Sequence, residues 1–472
     1  MSDEPFDRDA VIVGGGVVGA AIARELSHFQ LRCALLEAGP DVGAGTSKAN
    51  TALLHTGFDA KPDTLESRLV RRGHELLSEY APKAGIPLER TGALLVAWNR
   101  AEEAELDGII ERSQANGYGA IRQLGLEELR ELEPHLGHGA SGALEVPDEG
   151  IICPFTTTLA YATEAVANGC DLRLETPLVG VDRIAGGGFR LHTGRGELTT
   201  RYLVNAAGLR SDEVDRMLGR ERFIVTPRRG ELIVFDKFAR SLVGRIILAV
   251  PTKTTKGVLI APTIYGNVML GPTAENVNSK QDTGSTAAGL AYLRREGKRV
   301  VPELVEHEVT AVYAGLRAAT EHADYQLSID SDGYACVGGI RSTGLSASMA
   351  IAEHVRDGLA AAAGLRLESK VDVATTRMPN IGESFSRPYA EAERIARDPE
   401  YGRIVCFCER VTSGEIRDAL ASPIPPADLD GLRRRTRALM GRCQGFFCGA
   451  RIAAMLDEAG VRPTDTTRTP AP

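Results

Sequence analysis

Six residues near the start, Gly14-Gly15-Gly16-Val17-Val18-Gly19, leave the chain few folds to choose from. An apolar run, Ala10–Val13, leads into them, and a helical pattern over Val17–Ser27 follows. A second apolar run, Arg32–Leu36, then ends at an acidic residue, Glu37. Strand, glycine turn, helix and strand in that order open a parallel α/β sheet of the kind that binds dinucleotides. Gly14 permits the tight turn, Gly16 lets the backbone approach a pyrophosphate, and Gly19 lets the helix pack closely on the strand. The helix N-terminus presents N–H groups and the positive end of its dipole to phosphates. Glu37 can accept hydrogen bonds from ribose hydroxyls. A glycine-rich turn without a ligand is the competing reading of the six residues alone, and the flanking pattern weighs against it.

At 472 residues the chain exceeds what one hydrophobic core serves, so two or three structural units are expected. A net charge of -8 argues against sequence-independent nucleic-acid binding, which needs a broad basic face. No apolar run approaches the roughly 20 residues that span a bilayer, and Met1–Asp9 is acidic and polar rather than a secretory signal. The expected location is the cytoplasm, with membrane contact only through a partner. Glu66–Tyr80 and Ala347–Leu359 read as helices, and Leu203–Ala207, Leu232–Phe235 and Val258–Ala261 as strands. Residues 366–400 lack clear periodicity and read as a connector, and 461–472, rich in Thr and Pro, as a disordered tail.

The cysteines divide into two groups. Cys33, Cys153, Cys170 and Cys336 are scattered, as reduced buried thiols would be. Cys406, Cys408, Cys443 and Cys448 are gathered near the end, as C-x-C and C-x4-C separated by 34 residues. Four thiolates suit one two-iron, two-sulfur cluster, two per iron. Structural zinc also takes four, usually from C-x2–4-C pairs, and spacing alone leaves it open. Thr412 and Glu415 form a capping box for one helix, Asp428–Leu439 gives a second, and Cys448 opens a third.

Further along, Gly43–Ser47 follows Glu37, Asn205-Ala206-Ala207-Gly208 closes a strand, and Gly338–Gly344 precedes the last helix of the main body. These pieces, in this order, resemble flavoproteins of the D-amino-acid-oxidase superfamily over residues 8 to 360. The resemblance implies FAD, held by Gly14, Gly16, Gly19, Glu37, Thr46, Ser47, Ala207, Gly208, Gly339 and Gly344. It implies an α/β fold in which a discontinuous Rossmann-like FAD domain (about 1–84, 145–215 and 325–365) is interleaved with a mixed-sheet substrate domain, the two filling 1–365. A small helical [2Fe-2S] domain would follow at 401–460. There the run DGLRRRTRALMGRCQGFFC, Asp430–Cys448, is similar to the tail of the flavin-bearing subunit of anaerobic glycerol-3-phosphate dehydrogenases, a domain related to bacterioferritin-associated ferredoxin. That likeness implies a [2Fe-2S] cluster on the four cysteines. Arg433, Arg434, Arg435 and Arg437 are then either a solvated helix face or a partial neutralisation of the anionic cluster. A two-electron flavin joined to a one-electron cluster implies a dehydrogenase rather than an oxidase that reduces oxygen directly.

The same resemblance places the loop Lys48–Gly57 near the flavin, and makes His55 the candidate base that removes a hydroxyl proton. A histidine that only packs against the flavin is the competing role. Lys48, Arg317 in Ala314-Gly315-Leu316-Arg317, and Arg341 are implied to face the flavin and hold a small anionic substrate. The stretch Gly57-Phe58-Asp59-Ala60-Lys61-Pro62 departs from the glycerol-phosphate pattern and looks more like L-2-hydroxyglutarate oxidases. Oxidation of glycerol 3-phosphate to dihydroxyacetone phosphate is therefore the first expectation and a 2-hydroxy acid the second. An electron-transfer subunit without its own substrate is the third. The resemblance further implies an electron-accepting partner subunit, or quinone.

Overall fold

The computed structural model describes residues 6–251, 257–383 and 385–461; the tail beyond 461 lies outside them. The chain divides into two units, Met1–Met378 and Pro379–Pro472.

In the first unit Arg8–Val13 is a strand at the centre of a parallel arrangement. It pairs with Cys33–Leu36 on one side and Gly196–Asn205 on the other, and the latter pairs with Tyr334–Gly338, all parallel. Helices Val17–Ser27, Pro154–Ala167 and Gly344–Ala363 pack together, the first against both others. Helix cover explains why these strands read as unbroken apolar runs. Val11, Ala34, Leu203, Phe189 and Tyr334 are buried in one cluster. Phe189–Thr193 and Leu178–Arg183 extend the sheet as an antiparallel flap, and Asp171–Arg173 beside Cys33–Leu36 and Gln326–Ile329 beside Tyr334–Gly338 bring it to eight strands among the described residues.

The strand expected over Leu203–Ala207 stops at Asn205. The Asn205 side chain accepts from Ala207 N–H (3.2 Å) and donates to the Ser211 carbonyl (2.8 Å), turning the backbone out of the ladder. The helix expected over Ala347–Leu359 is longer, Gly344–Ala363, and ends on Gly364 at φ 70°, the left-handed cap that glycine favours.

A second sheet has nine strands among the described residues. Its pairings are antiparallel except Ala93–Ala97 with Ile246–Ala249, so it is mixed. The long antiparallel pair Thr226–Phe235 and Val309–Ala319 forms one side of it. Leu94, Phe235, Ile260 and Leu293 are fully buried in its core. A small three-stranded sheet, Leu53–Leu54, Gly150–Ile152 and Leu88–Glu89, completes the unit.

The second unit is mostly helical. A two-stranded ribbon, Ile404–Cys406 with Val411–Thr412, leads into helix Ser413–Leu420 through the expected capping box, in which Glu415 N–H donates to Thr412 Oγ1 and Thr412 N–H to Glu415 Oε2. The helix expected over Asp428–Leu439 is shorter, Leu429–Thr436: Asp428 caps its start and Arg437 leaves it at φ 71°. Cys448 is the cap residue of the last helix, Gly449–Glu458.

Residues 366–400 are not a free connector. The boundary falls within them, and 366–378 are laid onto the first unit by bonds such as Lys370 N–H to the His28 carbonyl (2.9 Å) and Met378 N–H to the Ala84 carbonyl (2.7 Å). In the second unit, Arg387 forms a buried pair with Glu415 at 2.7 Å.

Candidate active site

The glycine turn closes as expected. Gly14 has φ 108°, and a Cβ there would lie 2.5 Å from the Ala206 carbonyl oxygen. A Cβ on Gly19 would lie 1.9 Å from the Gly14 carbonyl oxygen. Both positions therefore require glycine for contact between turn, helix and strand. At Gly16, among the described residues, a Cβ would meet only Ser47 Oγ, at 3.1 Å, so this side faces the Gly43–Ser47 loop. Ser47 Oγ accepts from Val17 N–H at 2.9 Å, and Glu37 accepts from the N–H groups of Gly15 and Gly39, both at 2.7 Å. Ala207 and Gly208 follow Ala206, whose N–H is bonded to the Val13 carbonyl at 2.9 Å. Among the described residues nothing lies within 4 Å of a Cβ on Gly208 or Gly45.

Next to Ser47, Thr46 faces a cavity of ≈ 390 Å³ in the same unit. Thr46 Oγ1 donates to the Leu316 carbonyl (2.9 Å), and Gly315 admits the turn closely, since a Cβ there would lie 2.0 Å from the Ala49 carbonyl oxygen. One turn thus serves both places: Ser47 reaches the helix N-terminus and Thr46 the cavity. A turn shaped for a pyrophosphate, with a chamber adjoining, fits an extended dinucleotide such as FAD.

His55, Arg317 and Arg341 line this cavity together. Lys48 does not: it ends the turn Thr46–Lys48 and is exposed. Gly339 and Gly344 also stand back from the cavity, and Arg341, Ser342 and Thr343 between them supply its wall.

Each polar group has a distinct setting. Arg341 pairs with Glu66 at 3.3 Å and donates to the Ala323 carbonyl, so its charge is already engaged. Arg317 donates to the Thr273 carbonyl at 3.2 Å and forms no ion pair among the described residues. Directly across the ladder stands Arg228, which also lines the cavity and donates to Asn276 at 2.8 Å. Gly230 makes room for the guanidinium, since a Cβ there would lie 2.9 Å from Arg317 Nη2. Burial, and then the Arg228 charge, pull Arg317 down to about 10.

Sequence reasoning missed Arg228 and one further residue, Glu149. Glu149 is fully buried, and its Oε2 lies 3.0 Å from His55 Nδ1. Its Oε1 accepts from Thr56 N–H (2.7 Å) and Thr56 Oγ1 (2.9 Å). No motif marks either residue; each is placed by a strand pairing between segments far apart in the chain.

In the second unit the cysteine thiols come together as Cys406 beside Cys448 and Cys408 beside Cys443, and the two pairs are near each other. Cys406 and Cys448 are buried. The N–H groups of Phe447, Gly445 and Phe446 point at the Cys443 sulfur and lower its pKa. Gly441 lets the second cysteine loop approach the first, since a Cβ there would lie 2.3 Å from Cys408 Cβ. Paired thiols with N–H donors aimed at a sulfur fit a bridged iron–sulfur centre. Arg433 pairs with Asp430 at 3.1 Å. Arg434, Arg435 and Arg437 are buried, so they are not a solvated face; Arg435 donates to the Ile424 carbonyl at 2.8 Å, and Arg437 pairs with Glu409 at 3.4 Å.

Residues 9–357 match the family model "FAD dependent oxidoreductase", which is well over half of the chain. The chain belongs to that family. Residues 404–458 match a "BFD-like [2Fe-2S] binding domain", which decides against zinc in the quartet. The chain's cofactors are FAD and a [2Fe-2S] cluster. A protein of Caloramator mitchellensis named glycerol 3-phosphate dehydrogenase is 36% identical over 462 residues, 97% of this chain and 95% of that one. The FAD-bound L-alpha-glycerophosphate oxidase of Mycoplasma pneumoniae superposes with TM-score 0.75 at 28% identity, over 79% of this chain and 99% of the other. The mitochondrial L-2-hydroxyglutarate dehydrogenase of Caenorhabditis elegans is 32% identical, over 56% of this chain and 63% of its own. Among the described residues no helix is long and apolar enough to cross a membrane.

Proposed function

We propose that this family member oxidises the secondary alcohol of glycerol 3-phosphate to dihydroxyacetone phosphate. Bound FAD would supply the hydride acceptor, and the [2Fe-2S] cluster a one-electron path toward a partner subunit or quinone. The observation that carries the substrate is the like-charged pair Arg228 and Arg317, two guanidiniums lining the cavity that also holds His55. Two forks beside each other suit one phosphate dianion, and a bound anion relieves their repulsion. His55 takes the hydroxyl proton as the hydride leaves carbon. Arg341, engaged by Glu66, shapes the wall and contributes less to anion binding.

The near full-length likeness to a glycerol 3-phosphate dehydrogenase supports this reading, against one covering 56% of the chain for the hydroxyglutarate enzyme. The second reading, L-2-hydroxyglutarate, draws on Phe58 and Asp59, which line the same cavity. A substrate cavity with a base and an anion site disfavours a pure electron carrier. The proposed setting is the cytoplasm, at the membrane only through a partner.

An anaerobic titration read at the flavin absorption band tests this. Glycerol 3-phosphate should bleach the holoenzyme rapidly and uncharged glycerol hardly at all. Bleaching by L-2-hydroxyglutarate alone would move the assignment to the second reading, and no bleaching by either would leave the electron-carrier role.

A further inference from the structure

The strand Leu53–Leu54 pairs antiparallel with Gly150–Ile152, Leu54 opposite Gly150. One step further along that register brings His55 to Glu149. The carboxylate is fully buried and bonded on both oxygens, to Thr56 on one and to His55 Nδ1 on the other. The Glu149 carbonyl accepts from Gly92 N–H at 2.9 Å, and His55 N–H donates to Ser346 Oγ at 2.8 Å, so the backbone at each end is held.

We infer that Glu149 is a positioning residue for His55, fixing the proton on Nδ1 so that Nε2 keeps its lone pair. A carboxylate can only accept, so the bonded ring nitrogen is the one that carries hydrogen. The same negative charge stabilises the imidazolium formed when Nε2 takes the substrate proton. Burying a carboxylate costs stability unless it is fully bonded, and Thr56 and His55 supply those bonds. Among the described residues, other charges around the cavity are Asp59, Glu66, Arg228, Arg317 and Arg341. Tyr118, bonded to Asp148 at 3.0 Å, stands beside Glu149. Glu149 is a charged group bonded to the ring itself.

The inference rests on His55 being the base, and the test keeps the two apart. Anaerobic flavin reduction is followed by stopped flow across pH for the holoenzyme, His55→Asn and Glu149→Gln. His55→Asn alone decides the base: about a hundredfold loss or more supports it. Glu149→Gln should lose about tenfold or more of the plateau rate while FAD content and substrate affinity hold. Its acid limb should move to lower pH, because an imidazole without the adjacent charge releases its proton more easily. A role in packing alone would lower the rate without moving the limb. A Glu149→Gln protein with FAD bound and both plateau and limb unchanged would overturn the inference while leaving His55 as base. If that variant does not fold, proton NMR of the wild-type holoenzyme decides. A low-field resonance of a carboxylate-bonded imidazole N–H, lost in His55→Asn, is expected; its absence overturns the inference.

Discussion

Arg228 and Arg317 face each other across an antiparallel ladder, where like charges work against the fold. Such a pair persists in a cavity wall when a ligand gains from it. Arg228→Ala should raise KM for glycerol 3-phosphate by about tenfold to a hundredfold, the loss of one charge-assisted bond. Lys48→Ala should change it little, because Lys48 lies outside the cavity. Steady-state kinetics on both variants check this, and a larger effect at Lys48 would reverse the assignment. His55 and Arg317 were legible because each sits in a recognisable local run. Arg228 and Glu149 were not, since what matters about them is the residue opposite, and register between strands far apart in the chain leaves no mark on either segment.

The glycine turn separates two effects within one element. Gly16→Val should yield folded protein with little flavin, because the side chain enters space facing the Gly43–Ser47 loop. Gly19→Ala should instead lower the melting temperature, since its Cβ would strike the Gly14 carbonyl oxygen. Flavin absorbance together with thermal unfolding distinguishes them. In the second unit, Thr412→Ala removes the cap of Ser413–Leu420 and should cost about 1 kcal/mol, read by denaturant unfolding. Helix starts were legible here because capping is local chemistry: Thr412 and Glu415 sit within one helical turn of each other. Strand ends were less so. Asn205 ends its strand by folding its amide onto Ala207 and Ser211, an outcome that apolar periodicity does not encode.

At the level of the molecule, flavin site and cysteine quartet belong to separate units, so their chemistry should be separable. Cys443→Ser should lose iron and acid-labile sulfide while substrate still bleaches the flavin at the wild-type rate; failure to bleach would mean that the units are interdependent. The division was only partly legible, because 366–378 has no periodicity yet is bonded strand-like to the first unit through Phe29 and His28. The first unit has a different character. Its central strand, Arg8–Val13, neighbours Gly196–Asn205, which in turn neighbours Tyr334–Gly338, with the second sheet's strands encoded between them. During translation, the glycine turn therefore emerges long before the partners that hold it. About 360 residues must leave the ribosome before Gly344–Ala363 can close over the first helix, so flavin capture is a late event in biogenesis.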